Sequence, residues 1–284
     1  MPDKQDSTTW DIVIEPGRGV LQVPVRDIWR YRDLIFLFVR RDFVAFYKQT
    51  ILGPLWFILQ PILTTLMFTL VFGNIAGLST DGLPKIMFYL AGVTIWGYFS
   101  DCLTKTATTF TDNAYLYGKV YFPRMVTPLA VVLSNLMRFG IQYSIFLVFL
   151  LYYWSEDLVN PNYFVLLTPI LIVIMAAISL GLGLAFSAMT TKYRDLRFLL
   201  QFGVQLLMFA TPVIYPVSSI PEKYVFFIQL NPLSPVIETF RYAYLGVGTF
   251  SVEGLLYSGI VAICVLVIGT IIFNRFETTF MDTV

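Results

Sequence analysis

The side chains with most chemistry to offer carry no charge. Gln49, Gln60, Gln201 and Gln205 lie in two long stretches, residues 49–80 and 198–221, that contain no Asp, Glu, Lys or Arg. At about 100° per residue, Gln49, Gly53, Trp56, Gln60, Thr64 and Met67 fall on one side of a helix, with Phe57 at the border. Gln201, Gln205, Met208, Thr211, Pro212 and Tyr215 share one face of another. Amides in hydrocarbon are costly unless they meet a partner, so both stripes are expected to face protein or a cavity. Either the glutamines hydrogen-bond neighbouring helices, or they line an uncharged conduit. Such a lining suits a sugar chain, whose hydroxyls exchange hydrogen bonds with amides and whose C–H faces stack on aromatic rings. It suits a bare ion poorly, because nothing here replaces a hydration shell.

Ionisable candidates are few. Glu238 and Arg241 stand at i and i+3 and can pair on one helix, in a structural or a functional role. Arg138 falls inside a predicted membrane span, where a charge marks function by default unless it snorkels or the span begins later. Asp101 and Asp112 are the nearest approach to a catalytic carboxylate pair. The chain has no histidine, which removes the usual proton relay and the commonest metal ligand. Cys102 and Cys264 sit at a span edge and within a span, so neither a disulfide framework nor a metal site is expected. No phosphate loop is present: Gly118–Lys119 has Asn113 where the motif needs its first glycine, and Val120 follows. Uphill work by this chain needs an energy source elsewhere.

One basic loop differs from the rest. Residues 118–124, GKVYFPR, place Tyr121, Phe122 and Pro123 between Lys119 and Arg124. Two aromatics between cations form either a protein-docking surface or a loop lying on headgroups. A second short basic loop, Thr191–Arg197, offers another contact.

The elements that hold these residues are membrane spans. Apolar residues make up 57% and charged residues only 13% of the 284, far from soluble averages. A hydrocarbon core about 30 Å thick takes about 20 helical residues. Six helices are therefore expected at about 51–73, 86–105, 128–153, 163–189, 197–217 and 254–274. Lys and Arg divide fifteen against three between alternate sides, which places both termini in the cytoplasm by the positive-inside rule. The net charge of +1 names no partner and gives no reason to expect nucleic acid. No cleavable signal peptide is visible, since Asp3, Asp6, Asp11 and Glu15 occupy the region where an apolar core belongs.

Two flanking segments complete the plan. Residues 27–48 carry eight charges yet keep Ile28, Trp29, Ile35, Phe36, Val39, Phe43, Phe46 and Tyr47 within an arc of about 120°. This predicts an amphipathic interfacial helix on membrane lipids, with a helix packed on other cytoplasmic protein as the alternative. Gly53 and Pro54 suit the turn from it into the first span. Residues 218–253 are apolar but broken by Pro221, Pro232 and Pro235, which predicts short external helices dipping back into the bilayer. The chain thus reads as a cytoplasmic tail, 1–26, followed by one all-α membrane domain, 27–284.

In order, IEPGRG at 14–19, YKQTILGPLWFILQP at 47–61, GKVYFPR at 118–124, KYRDLRFLLQFGVQLLMFATPVIYP at 192–216 and NPLSPVIETFRYAYLG at 231–246 resemble the permease subunit of ABC exporters for O-antigen and teichoic acid. The resemblance implies a homodimer with two separate ATPase chains that bind ATP and magnesium, leaving no cofactor in this chain. It implies export of a lipid-linked polysaccharide across the bacterial inner membrane. It makes Gly118, Lys119, Tyr121, Phe122, Pro123 and Arg124 the segment that receives ATPase motion, and residues 222–250 with Glu238 and Arg241 an external gate. Phe43, Phe46, Tyr47, Trp56 and Phe57 become sugar contacts at the cytoplasmic mouth. Tyr89, Trp96, Tyr98 and Phe99 are weaker choices, either contacts or membrane anchors. An intramembrane transferase and a passive channel are the competing classes.

Overall fold

The computed structural model describes the backbone of residues 25–48, 50–193 and 195–280. Nearly all of the 1–26 tail, Gln49 and Arg194 lie outside the described residues, as do the side chains of Phe46 and Tyr47. All regular structure among the described residues is helical. Five helical segments are long and apolar enough to cross a membrane: Gly53–Ile75, Lys85–Thr106, Val126–Ser155, Tyr163–Lys192 and Val252–Phe276.

The segment before the first span folds as α1 (Val25–Arg30) and α2 (Arg32–Lys48), broken at Tyr31. Its apolar residues divide between two surroundings. Ile35, Phe38 and Val39 are buried, and α2 packs on α7 (Val126–Ser155), while Trp29 and Phe36 are exposed. The predicted arc therefore splits: part of it is spent on the chain's own helices, and Phe38, outside the arc, is drawn inward. Gly53 makes the turn into the membrane at φ +50°, a left-handed conformation that costs glycine little. The first span is then a 3-10 turn (Gly53–Leu55), α3 (Trp56–Phe68) and a π-helical stretch (Thr69–Ile75).

The hub is α4 (Lys85–Thr106), which packs on α3, α7, α8 (Thr168–Lys192), α9 (Leu196–Phe209) and α11 (Leu233–Leu245). Every residue from Met87 to Gly92 is buried, the pattern of a helix surrounded by protein. Tyr89, Trp96, Tyr98 and Phe99 are accordingly core residues, neither anchors nor sugar contacts. Short α5 (Thr109–Asp112) and α6 (Ala114–Tyr117) lead from α4 to the basic loop.

Close backbone approach joins α8 to α12 (Val252–Phe280). A Cβ on Gly181 would lie 2.5 Å from the Val265 carbonyl oxygen, and one on Gly269 would collide with the Gly181 carbonyl. Small residues allow such contact where lipid gives no hydrophobic drive between helices.

The fifth span departs most from expectation. Instead of running 197–217, α9 stops at Phe209 after 14 residues, about 21 Å at 1.5 Å each. As a helix alone that falls short of a core of about 30 Å, and the apolar chain runs on without helix through Ile214. Beyond it the chain turns through Thr211 and Pro212, makes a 3-10 turn (Val217–Ser219), and forms α10 (Glu222–Leu230) and α11. Proline has no N–H to continue the ladder. The carbonyls of the segment that follows, at Pro212, Val213 and Tyr215, are taken by Arg241, below. The short helices expected over 222–250 are α10 and α11, and α11 ends on Gly246 at φ +75°.

Candidate functional site

At the α9–α11 end, Arg241 is buried and its Nη1 donates to the carbonyls of Pro212 and, at 3.4 Å, Tyr215. Its Nη2 donates to the Val213 carbonyl. The guanidinium carbon lies 3.8 Å from the centroid of the Phe88 ring on α4. Glu238 pairs with Arg241 at 3.4 Å, one helical turn away, and also accepts from the Thr249 backbone N–H at 3.3 Å. Burial pushes the Glu238 carboxyl above its usual range, opposed by the guanidinium. Burial brings the guanidinium down to about 10, still cationic at neutral pH. Gly92 makes the assembly fit: a Cβ there would stand 2.8 Å from the Val213 carbonyl oxygen and 3.0 Å from Nη2. The predicted Glu238–Arg241 pair is thus present and holds the segment after α9, whose own last carbonyls meet Ala210, Thr211 and Tyr215.

The two amide stripes are only partly realised. On α3, Trp56, Gln60 and Met67 are exposed and Thr64 is half-buried, whereas Phe57 is buried. On α9, Gln201 and Gln205 are exposed and Met208 is half-buried. Thr211 and Pro212 are buried off the helix, and Tyr215 turns back to donate its hydroxyl to the Phe209 carbonyl at 2.8 Å. The face drawn through Tyr215 therefore ends at Met208, because the helix itself has ended. Gln60, Gln201 and Gln205 remain on surfaces that the single chain leaves open.

The basic loop separates into two kinds of residue. Gly118, Lys119 and Tyr121 are exposed, Tyr121 by 66%, and Lys119 lies over the Tyr115 ring at 3.8 Å. Phe122 and Arg124 are each only 6% exposed, and Pro123 is half-buried. Phe122 sits in a chain of ring contacts: Phe38 of α2 at 5.7 Å, Tyr117 at 5.6 Å, then Phe110 to Tyr117 at 5.9 Å and Phe110 stacked on Phe273 of α12 at 4.5 Å. A push on the exposed part of this loop meets α2 and α12 through packed rings. Arg124 lies 5.6 Å from the Tyr117 ring and faces inward, which corrects its reading as a docking cation. Arg197, at the start of α9, bonds Thr111 and pairs with Asp112 at 3.6 Å, so the second basic loop is tied to α5, which leads to the first.

Asp101 and Asp112 serve different neighbours and do not form a carboxylate pair. Asp101 lies 3.8 Å from both Lys105 Nζ and Arg138 Nη1. Lys105 also donates to Asn135 Oδ1 at 2.9 Å. The Arg138 guanidinium stands 5.1 Å from the ring of Phe57, in the first turn of α3, and Phe57 stacks on Phe43 of α2 at 5.8 Å. Arg138 thus lies level with the start of the first span, because α7 begins well before it. Sequence reading found Arg138 but missed Asn135 and Lys105 beside it, although the i, i+4 spacing of Asp101 and Lys105 was there to be read.

Residues 33–245, three quarters of the chain, match the family described as ABC-2 type transporter. The chain belongs to that family. This ABC-2 permease is 28% identical to the O-antigen export system permease protein RfbA of Myxococcus xanthus, over 92% of this chain and 98% of the relative. It is 26% identical to the RfbA protein of Klebsiella pneumoniae, over 88% and 94%. It is also 24% identical to the polysialic acid transport protein KpsM of Escherichia coli, over 87% and 94%. An ABC-2 permease is a multi-pass membrane transport subunit, as the five long apolar helices require.

Proposed function

We propose that this ABC-2 permease is the membrane subunit of an ATP-driven exporter that moves a lipid-linked polysaccharide of O-antigen type across the bacterial inner membrane. The observation that carries the reading is end-to-end similarity to relatives named for O-antigen export. A capsular or teichoic-acid glycan of the same general chemistry is the second reading, favoured by the likeness to the polysialic acid protein.

Two copies of the chain, with both termini cytoplasmic, pair around the open faces of α3 and α9. There Trp56, Gln60, Thr64, Gln201, Gln205 and Met208 give hydroxyl-bonding amides and rings without fixed charge. Phe43 stands at the entrance, with Phe57 packed against it. Two separate ATPase chains hold ATP and magnesium and press on Gly118, Lys119 and Tyr121, while Phe122, Pro123 and Arg124 transmit the push. Glu238 and Arg241 hold the far end of the path. ATP binding works only if it favours one of two arrangements of the α3–α9 interface.

The test is co-purification with a nucleotide-binding subunit encoded by the same organism, followed by ATPase assay in nanodiscs. Stimulation by a lipid-linked glycan is expected. Transferase activity without any ATPase, or ion conduction by this chain alone, would overturn the reading.

A further inference from the structure

A second polar feature lies apart from the amide stripes, along the seam where α4 and α7 run side by side. Gly97 faces Gln142, whose Oε1 would be 3.6 Å from a Cβ there. One turn on, Asp101 meets Arg138, and a further turn on, Lys105 meets Asn135. Two cations converge on one carboxylate oxygen of Asp101, each at 3.8 Å. Asp42 of α2 also acts on both cations but brings its own cation, Arg41, at 2.8 Å, so three cations stand against two carboxylates. The seam therefore carries a cation in excess at the level where the first span begins.

Such a pair is expensive to hold near hydrocarbon. Charges there are paired for structure or kept for a ligand. Asn135 decides between these. It is 2% exposed, its Oδ1 is taken by Lys105, and its Nδ2 has no hydrogen-bond acceptor. A buried donor without an acceptor costs about 1–3 kcal/mol, and beside Lys105 it asks for an anion. Lys105 is 38% exposed in its side chain and Asp101 45%, so a headgroup reaches these two first and the more buried Arg138 and Asn135 behind them.

We infer that Lys105, Asn135 and Arg138 bind the phosphate-bearing headgroup of a membrane-embedded lipid, with Asp101 as the internal anion that the headgroup displaces. Phosphate oxygens accept charge-assisted hydrogen bonds from both cations and from the orphan amide. Phe57, buried and stacked on Phe43, closes the α2–α3 side of the site behind Arg138. Naming the lipid as the isoprenoid diphosphate carrier of a glycan rests on the function proposed above; the phosphate chemistry does not.

The chain in phosphatidylcholine nanodiscs is titrated with a fluorescent polyprenyl diphosphate, and competed with the matching polyprenyl alcohol, phosphatidylglycerol or inorganic phosphate. The diphosphate lipid is expected to bind and the alcohol to compete at least tenfold less well, about one charge-assisted hydrogen bond's worth. Lys105→Gln and Arg138→Gln should each weaken binding about tenfold on the same grounds. Asp101→Asn should tighten it several-fold, which a purely structural ion pair would not do. Wild-type affinity in well-folded Lys105→Gln, or weaker binding in Asp101→Asn, overturns the site. Equal competition by phosphatidylglycerol or by inorganic phosphate overturns the carrier assignment. Failure of glycan to stimulate a partner ATPase would remove the export reading and leave this binding result standing.

Discussion

The guanidinium carbon of Arg241 lies 3.8 Å from the centroid of the Phe88 ring, and through that contact α11 is fixed to the central helix α4. The same side chain takes the carbonyls of Pro212, Val213 and Tyr215. One arginine therefore joins the hub, the segment after α9 and α11.

Arg241→Gln should lower stability by about 3–5 kcal/mol, because it leaves Glu238 buried without its partner and three carbonyls short of donors. Glu238→Leu combined with Arg241→Met should cost clearly less than that. Thermal unfolding of the two variants in nanodiscs measures the difference, and equal losses would show that the carbonyl contacts, not the ion pair, matter most.

The basic loop should divide under mutation. Phe122→Ala removes a buried ring from the Phe38–Phe122–Tyr117 chain and should cost about 3–5 kcal/mol of stability. Tyr121→Ala touches an exposed ring and should stay within about 0.5 kcal/mol. Its effect should appear instead as loss of ATPase co-purification, read on a pull-down gel.

Gln60→Leu with Gln205→Leu should leave the melting temperature unchanged, since both amides are exposed in the single chain. Export of glycan should fall about tenfold, the effect of about 1.4 kcal/mol of lost hydrogen bonding. Normal export would remove these amides from the conduit wall.

Gly269→Val should prevent α12 from seating on α8 and cost about 3 kcal/mol or more. Gly259→Ala, where a Cβ meets nothing within 4 Å, is the control and should be neutral or slightly stabilising. Folded yield by size-exclusion chromatography separates the two.

Much of this architecture was legible because charge and length govern membrane insertion directly. The starts of α4, α7 and α12 fall within two residues of those read from the charge-free runs, and Glu238–Arg241 was visible from spacing alone. What escaped were features set by partners distant in sequence. The non-helical segment after Phe209 is held by Arg241, thirty-odd residues on, so a charge-free run through Pro221 gave no sign of it. The inward turn of Arg124 and of Phe38 depends on Tyr117 and Phe122 supplying ring surface. A helical wheel registers neither. Asn135 looked like any polar residue in a span until Lys105 was seen against it.

The glycine contact between α8 and α12 has a mechanical meaning. Backbones that touch at Gly181, Val265 and Gly269 leave no side-chain layer to slide or re-pack, so these two helices form a stator. Any displacement in a transport cycle must then be taken up elsewhere, by α3 with its π-helical end and by the short α9. The apolar last span sets which part of the molecule is free to move.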